Sequence, residues 1–598
     1  MKLKYGLRSW LLYSSVVLIS CGLLAAVLRL WQADLRIPFL YSGDTLWASM
    51  TIKTIIETGW HLTNPSLGAP FGAQYYDWMA SDGLHLLVIK FLTLFSSNWA
   101  VVLNMFYLLM FPLTAVCALF VFRRFTLSIP AASALSILYA FLPFHFFRGE
   151  AHLFLAAYYL VPFMVLIADW IVAGALLSKS RGWAALRSRR LLLAVVLCLM
   201  MSSSGVYYAY FSCFLFAVAS VMVLLGAREA RWKKLAGAGL LISVMILGVV
   251  LNVLPKYLNA GDSGASGLMT VRRSAESEVY GLKISQLLLP VTDHRLPYLA
   301  DIKMNYSWRF PLVNENDSAS LGLLGSLGFL TLLGWSVFGM VRRKGPGSKS
   351  LLFDRLAAFN LSALLLATIG GFAVVASMTV LPQIRAYNRI SIFIAFYSLL
   401  ALGLVIETLI SRIRKLRLRS LTLWAVSILL VIIGVCDQTP RDPLGQGISY
   451  GAVKEAFTGD QTFVREIEAV MPADALIYQL PYMSFPENGA QKELLDYELF
   501  KPYLHSTQLR WSYGGLRGGR SDLWNRQAAQ KPVDQMLSDL VSAGFQGISI
   551  DRAGYDEQEA SVLEAQLSAA LGQELLVSTD GRTAFYSLTA YSLMVRAL

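Results

Sequence analysis

Runs of about twenty apolar residues recur along this chain, each set off from the next by a short polar or basic stretch. A helix needs roughly 20 such residues to cross a hydrocarbon core, so the recurrence predicts a membrane-spanning bundle before any motif is read. The runs lie at about 10–30, 99–121, 126–142, 153–173, 191–207, 209–226, 235–254, 320–341, 357–378, 390–409 and 420–437. Composition agrees, because 56% of the 598 residues are hydrophobic and only 15% charged, with a mean hydropathy of +0.54. A soluble chain has no interior large enough for that much apolar surface.

The net charge of +13 does not point to nucleic acid. Basic residues cluster between apolar runs: Lys2 to Arg8, Arg123 and Arg124, Lys179 to Arg190, Arg228 to Lys234, Arg342 to Arg355, and Arg412 to Arg419. These stretches hold 24 Lys and Arg against two acids, Glu229 and Asp354, and the rest of the chain is net negative. With about 11 spans every cluster falls on one side, which is the positive-inside pattern. Counting the apolar stretch Leu84 to Ser97 as a span would break that parity. It is too short to cross and is expected as a surface helix, partnered by the amphipathic stretch Leu46 to Trp60. The N-terminal run is too long for a cleaved signal and reads as a retained anchor. The five cysteines show no paired spacing and predict neither disulfides nor a zinc site.

The expected fold is a polytopic α-helical membrane protein of about 11 transmembrane helices over residues 1–437, with a C-terminal α/β domain over 438–598. The N-terminus lies inside and the tail outside, with long outer loops at 31–98 and 255–319. In the tail, Phe463–Met471, Val533–Ala543 and Glu557–Leu571 read as helices. Ala475–Leu480 and Gly547–Ile550 read as strands, and Leu575–Leu588 as a hairpin around Asp580-Gly581. The inner connections are too short for a nucleotide-binding domain. All six histidines, His61, His85, His145, His152, His294 and His505, fall on the outer side.

The first outer loop holds Ser42-Gly43-Asp44, the stretch Asn64-Pro65-Ser66-Leu67-Gly68-Ala69-Pro70-Phe71-Gly72, and two further acids, Asp77 and Asp82. A carboxylate just above a membrane surface can be tuned toward general-base work. Asp44 can equally serve as the cap of a helix beginning at Thr45. Two outer turns carry cations: Phe144 to His152, with Arg148 and His152, and Pro382 to Arg389, with Arg385 and Arg389. Guanidinium groups at headgroup depth suit phosphate oxygens, or simply anchor the helix ends. Arg385 and Arg389 are four apart and would share one face of a helix starting there. The run Asn314-Glu315-Asn316-Asp317 resembles a hard-cation site but lacks a fixed ligand spacing and reads as a solvated loop, and the tail mixes aromatics and cations around Trp511 and Tyr513. His505-Ser506 has no third partner that would make a hydrolase triad.

Over residues 1–437 the layout, with Ser42-Gly43-Asp44 and the Asn64 stretch, resembles the GT-C integral-membrane glycosyltransferases. Within them it is similar to the bacterial YfhO-like and dolichyl-phosphate-mannose-transferase-like branches. The resemblance implies an inverting enzyme of the bacterial inner membrane, working on the periplasmic face. It would take sugar from a polyprenyl-phosphate donor and pass it to a glycan, lipid or protein hydroxyl. It implies Asp44 as base, Asp77 or Asp82 as a second acid, and a divalent cation, Mg2+ or Mn2+, as an optional helper. Arg148, His152, Arg385 and Arg389 would hold the carrier phosphate, and His85, Tyr158, Trp511 and Tyr513 are candidates for holding the acceptor. Two other classes stay open: a transporter or flippase for lipid-linked saccharides, and a non-catalytic envelope assembly protein.

Overall fold

The computed structural model describes residues 2–76, 78, 81–177, 188–226, 231–259, 272–310, 314–339, 348–379, 383–442, 444, 449–572 and 576–597. Each expected apolar run falls on a helix. Among the described residues eight helices are long and apolar enough to cross a membrane, from Trp10–Val27 to Leu416–Gln438. Three other expected spans fall on shorter helices, Val161–Ala173, Arg189–Ser202 and Gly322–Phe338. The chain is a multi-pass membrane protein.

Two boundaries differ from expectation. The run at 153–173 is broken, with a single turn at Leu153–Ala156 before the Val161–Ala173 helix, which carries a proline in its first turn. The run placed at 357–378 instead forms Ser348–Ala367, a break at Gly370-Gly371, and a short helix Phe372–Thr379. A Cβ on Gly371 would lie 2.4 Å from the Leu365 carbonyl oxygen, so this tight break requires glycine.

Burial separates the centre of the bundle from its rim. The windows within Ile129–Arg148 and Tyr387–Ile410 are 83% and 78% buried, whereas that of Leu416–Gln438 is 17% buried and presents its apolar side chains to lipid. The central helices interlock through stacked Phe122 and Phe396, with ring centroids 4.5 Å apart. Gly328 lets its helix lie against the helix Ser391–Ile410, for a Cβ there would meet Ser398 O at 1.9 Å. Basic residues from three separate clusters meet at one end of the bundle. Arg355 pairs with Asp169 at 2.8 Å, Lys234 reaches Val172 O, and Arg190 covers the Trp170 ring.

The opposite end carries the first loop and the tail. The loop has a two-stranded ribbon, β1 (Thr63–Asn64) and β2 (Ala73–Gln74). The tail adds β3 (Leu476–Leu480), β4 (Arg510–Trp511), β5 (Phe545–Asp551), β6 (Leu576–Val577) and β7 (Thr583–Ser587). These five form one sheet in the order β4-β3-β5-β7-β6, with β3 parallel to both neighbours and β6-β7 the expected terminal hairpin. The tail helix expected at Phe463–Met471 is longer, Tyr450–Val470, and a final helix Thr589–Ala597 follows β7.

Loop and tail are bonded together. Trp511 donates its N–H to Ser66 O, and Gly68 and Ala69 donate theirs to Tyr513 O and Trp511 O. The Asn64 stretch thus lies along β4 like a further strand. The helix Asp44–Thr58 is therefore not a half-exposed surface helix. Ten of its fifteen residues are buried, and it is held from the tail side by Lys53, which donates to Ser506 O, and by Tyr503, which donates to Glu57. The other expected surface helix, Gly83–Leu92, does leave Leu87 and Phe91 exposed.

Candidate active site

Asp44 is the first residue of its helix and not its cap. The cap position is Gly43, no side-chain capping bond is made, and the Asp44 carboxylate is left for other partners. Gly43 has φ 56° and ψ −140°, a conformation closed to residues with a Cβ. Gly149, in the turn after the central helix, adopts nearly the same one, φ 50° and ψ −149°. Each glycine turns the chain so that the functional side chain beside it faces the same place. His152 Nε2, three residues beyond Gly149, lies 3.7 Å from Asp44 Oδ2.

The two most buried helices deliver one arginine each to this place. Arg148 ends the first and is 3% exposed, and Arg389 begins the second and is 8% exposed. Both reach the same carboxylate oxygen. Arg148 Nη1 donates to Glu315 Oε2 at 2.8 Å, and Arg389 Nη2 donates to it at 3.4 Å. Arg389 also covers the Tyr207 ring at 4.3 Å. Two cations on one anion leave an excess positive charge, and Arg148 Nε and Nη2 and Arg389 Nε are buried without a hydrogen-bond partner among the described residues. Buried guanidinium donors without partners are costly unless an anion completes them.

Glu315 was expected in a solvated loop. Instead it is clasped. Asn314 Nδ2 donates to Val279 O, Asn388 Nδ2 to Asn314 O, and Asn316 Nδ2 to Gly281 O. Asn314 and Glu315 both hold left-handed backbone, φ 43° and 61°, a strain that persists because these bonds impose it. Burial pushes the Glu315 carboxyl up, but Arg148, Arg389 and His152 outweigh it and hold it at about 2.

Asp44 is tuned in the opposite direction. Burial, then the carboxylates of Glu487, Asp496 and Glu315, raise it to about 6, and Arg389 opposes them. Its side chain is still 42% exposed, so a reactant can reach it. Burial and the nearby arginines lower His152 to about 3, so it is neutral and its contact with Asp44 is not an ion pair. Glu487 and Asp496 come from the tail, a contribution the sequence gives little sign of.

The remaining expected residues are placed differently. Arg385 and Arg389 do not share a helix face, because Tyr387–Ile390 is a 3-10 turn and the α-helix starts at Ser391. Arg385 pairs with Glu276 at 2.7 Å and covers Tyr280. Asp82 faces His85, with Oδ1 3.5 Å from Nδ1, and Asp77 lies outside the described residues. His85 is fully buried and stacked on Phe154, and Tyr158 is buried with its hydroxyl donated to Tyr139 O at 2.8 Å. Trp511 and Tyr513 are buried where the tail meets the first loop. All four acceptor candidates are thus buried. Among the described residues no three of His, Cys, Asp and Glu gather as a metal site, and Glu315 is already shared by two guanidinium groups.

No protein-family model matches the sequence, and no curated protein does. Among solved structures the chain is similar to the Archaeoglobus fulgidus oligosaccharyltransferase in complex with Zn and sulfate. That match has 12% identity over 96% of this chain and 72% of the other, with a TM-score of 0.43. It is also similar to ArnT from Cupriavidus metallidurans bound to undecaprenyl phosphate, at 14% identity over 98% and 99% of the two chains and a TM-score of 0.44. At this identity and TM-score no residue role transfers from either.

Proposed function

We propose that this chain is a glycosyltransferase that moves a sugar from a polyprenyl-phosphate carrier to a hydroxyl of a cell-envelope glycan, lipid or protein. The observation that carries the reading is the meeting of distant turns at one place. A reachable carboxylate with a pKa of about 6, Asp44, stands beside two buried arginines whose donors outnumber their acceptors. General-base work calls for a carboxylate tuned toward neutrality, and a phosphate leaving group calls for preplaced cations.

In this mechanism Asp44 takes the proton of the acceptor hydroxyl as its oxygen attacks the anomeric carbon of the donor. The bond from that carbon to the phosphate oxygen breaks, and the carrier phosphate leaves with the electron pair. Arg148 and Arg389 take up its charge, with bidentate guanidinium geometry suited to its oxygens. Neutral His152, 3.7 Å from Asp44, does not stabilise its charged form by ion pairing. A single displacement of this kind inverts the anomeric centre. The positive-inside count supports the periplasmic face of a bacterial inner membrane, with the basic end of the bundle in the cytoplasm.

The test is Asp44→Asn in proteoliposomes supplied with polyprenyl-phosphate-linked sugars. Transfer should fall by about a thousandfold while folding is retained. In the wild type, Asp44 works only when ionised, so the rate should climb through pH about 6 and then level. Wild-type transfer by the asparagine variant would refute the assignment.

A further inference from the structure

One buried acid in the same turn as Arg148 and His152 takes no part in the chemistry above. Glu150 is 3% exposed, and its Oε2 accepts the backbone N–H of Leu40 at 3.0 Å. Leu40 lies four residues before Asp44, in the segment that leads through Gly43 into the Asp44 helix. The turn on the other side of this bond is closed by its own hydrogen bonds, from Gly149 N to His145 O and from His152 N to Arg148 O. The Glu150–Leu40 hydrogen bond therefore ties the segment that ends in Asp44 to the turn that carries Arg148 and His152.

We infer that Glu150 is a positioning residue that sets the Asp44–His152 separation by holding Leu40 through its carboxyl oxygen. The inference rests on the function proposed above. Its physical basis is the cost of a charge in this place. Glu150 is fully enclosed, its Oε1 has no hydrogen-bond partner among the described residues, and no cation bonds it there. An unpaired buried carboxylate is far more costly than a neutral carboxyl that accepts one main-chain N–H. Burial raises its pKa to about 8, and the Leu40 and Phe39 backbone bonds only partly oppose this. What Glu150 supplies is thus an acceptor oxygen at a fixed place.

Two uncharged replacements of similar size separate that role from simple packing. Glu150→Gln keeps a carbonyl oxygen for Leu40, and Glu150→Leu fills the space without one. In the full chain in lipid nanodiscs, amide exchange of residues 38–44 should stay near wild type in E150Q and quicken about tenfold in E150L. Transfer should follow the same order, with E150Q within about twofold of wild type and E150L losing about tenfold in kcat with little change in KM. Wild-type exchange and kcat in E150L would overturn the inference, as would loss of activity in E150Q, which decides the matter even if E150L does not fold. If the wild-type protein transfers no sugar, the proposed function fails, while the exchange measurement still reports on the Glu150–Leu40 tie.

Discussion

Two pairs of arginines lie near the same end of the bundle, and they are used in opposite ways. Arg148 and Arg389 share a single carboxylate, Glu315, and are almost wholly buried. Arg385 and Arg272 each have an acid of their own, Glu276 at 2.7 Å and Glu487 at 2.6 Å, and remain roughly a fifth exposed. A one-to-one pair is neutral and has little to offer an incoming anion. Two cations on one anion keep a net charge of +1, buried where electrostatic interaction is strong. In the proposed function the first arrangement receives the carrier phosphate. The second is a set of straps, with Arg272 joining the 255–319 loop to the tail and Arg385 joining that loop to the turn before the tenth expected span.

The largest effect that tests this contrast is loss of either shared arginine. Arg148→Ala and Arg389→Ala should each lower transfer about a hundredfold, as expected when one preplaced donor to a developing anion is removed. Binding of polyprenyl phosphate, followed by titration in detergent, should weaken in both. Unaltered binding in either variant would break the contrast, because it would make the buried pair as dispensable as the exposed one.

A smaller and two-sided effect should follow from Glu315→Gln. The carboxyl is held at about 2, below its ordinary value, so its ionised form stabilises the fold at neutral pH. That contribution is complete above the unfolded carboxyl range and is lost as pH falls toward 2, so E315Q should lower the Tm at pH 7 and matter less in acid. The same carboxylate helps to raise Asp44, so the rising limb of the rate profile should move below pH 6 in E315Q. The cluster's charge would rise from +1 to +2, and polyprenyl phosphate should bind several-fold more tightly. An unmoved limb together with an unmoved Tm would show that Glu315 does not face both groups.

Much of this could be read before any coordinates, and the reasons differ by region. Spans were readable because hydrocarbon demands length and apolarity, while the parity of the basic clusters carries only the proposed sidedness. Asp44, Arg148, His152 and Arg389 were readable as ionisable groups placed where a membrane makes charge expensive. Their partners were not. Glu315 sits in a run of Asn and Asp that looks solvated, and only its left-handed backbone, fixed by three distant asparagine bonds, turns it inward. Glu150 and Glu487 depend on contacts 110 and 215 residues away in the chain, which no local pattern records. The Asn64 stretch shows the reverse case. It was readable as a motif, and its hydrogen bonds show it serving to dock the tail beside β4.

The smallest expected effect bears on the strap side. In the sequence Arg385 looked equivalent to Arg389, and the geometry separates them by one turn of 3-10 helix. Its pair with Glu276 is about a quarter exposed on both sides, and pairs of that kind contribute little, from nothing to about 1 kcal/mol. Arg385→Ala should therefore cost at most about fivefold in transfer and leave polyprenyl phosphate binding within twofold. Glu276→Gln should have the same small effect, since either change undoes the same strap, and the double variant should be no worse than the singles. A hundredfold loss in Arg385→Ala with Glu276→Gln silent would mean that Arg385 leaves its acid to meet the carrier. The phosphate site would then have three arginines, and the division between receptor and strap would be a property of the empty enzyme alone.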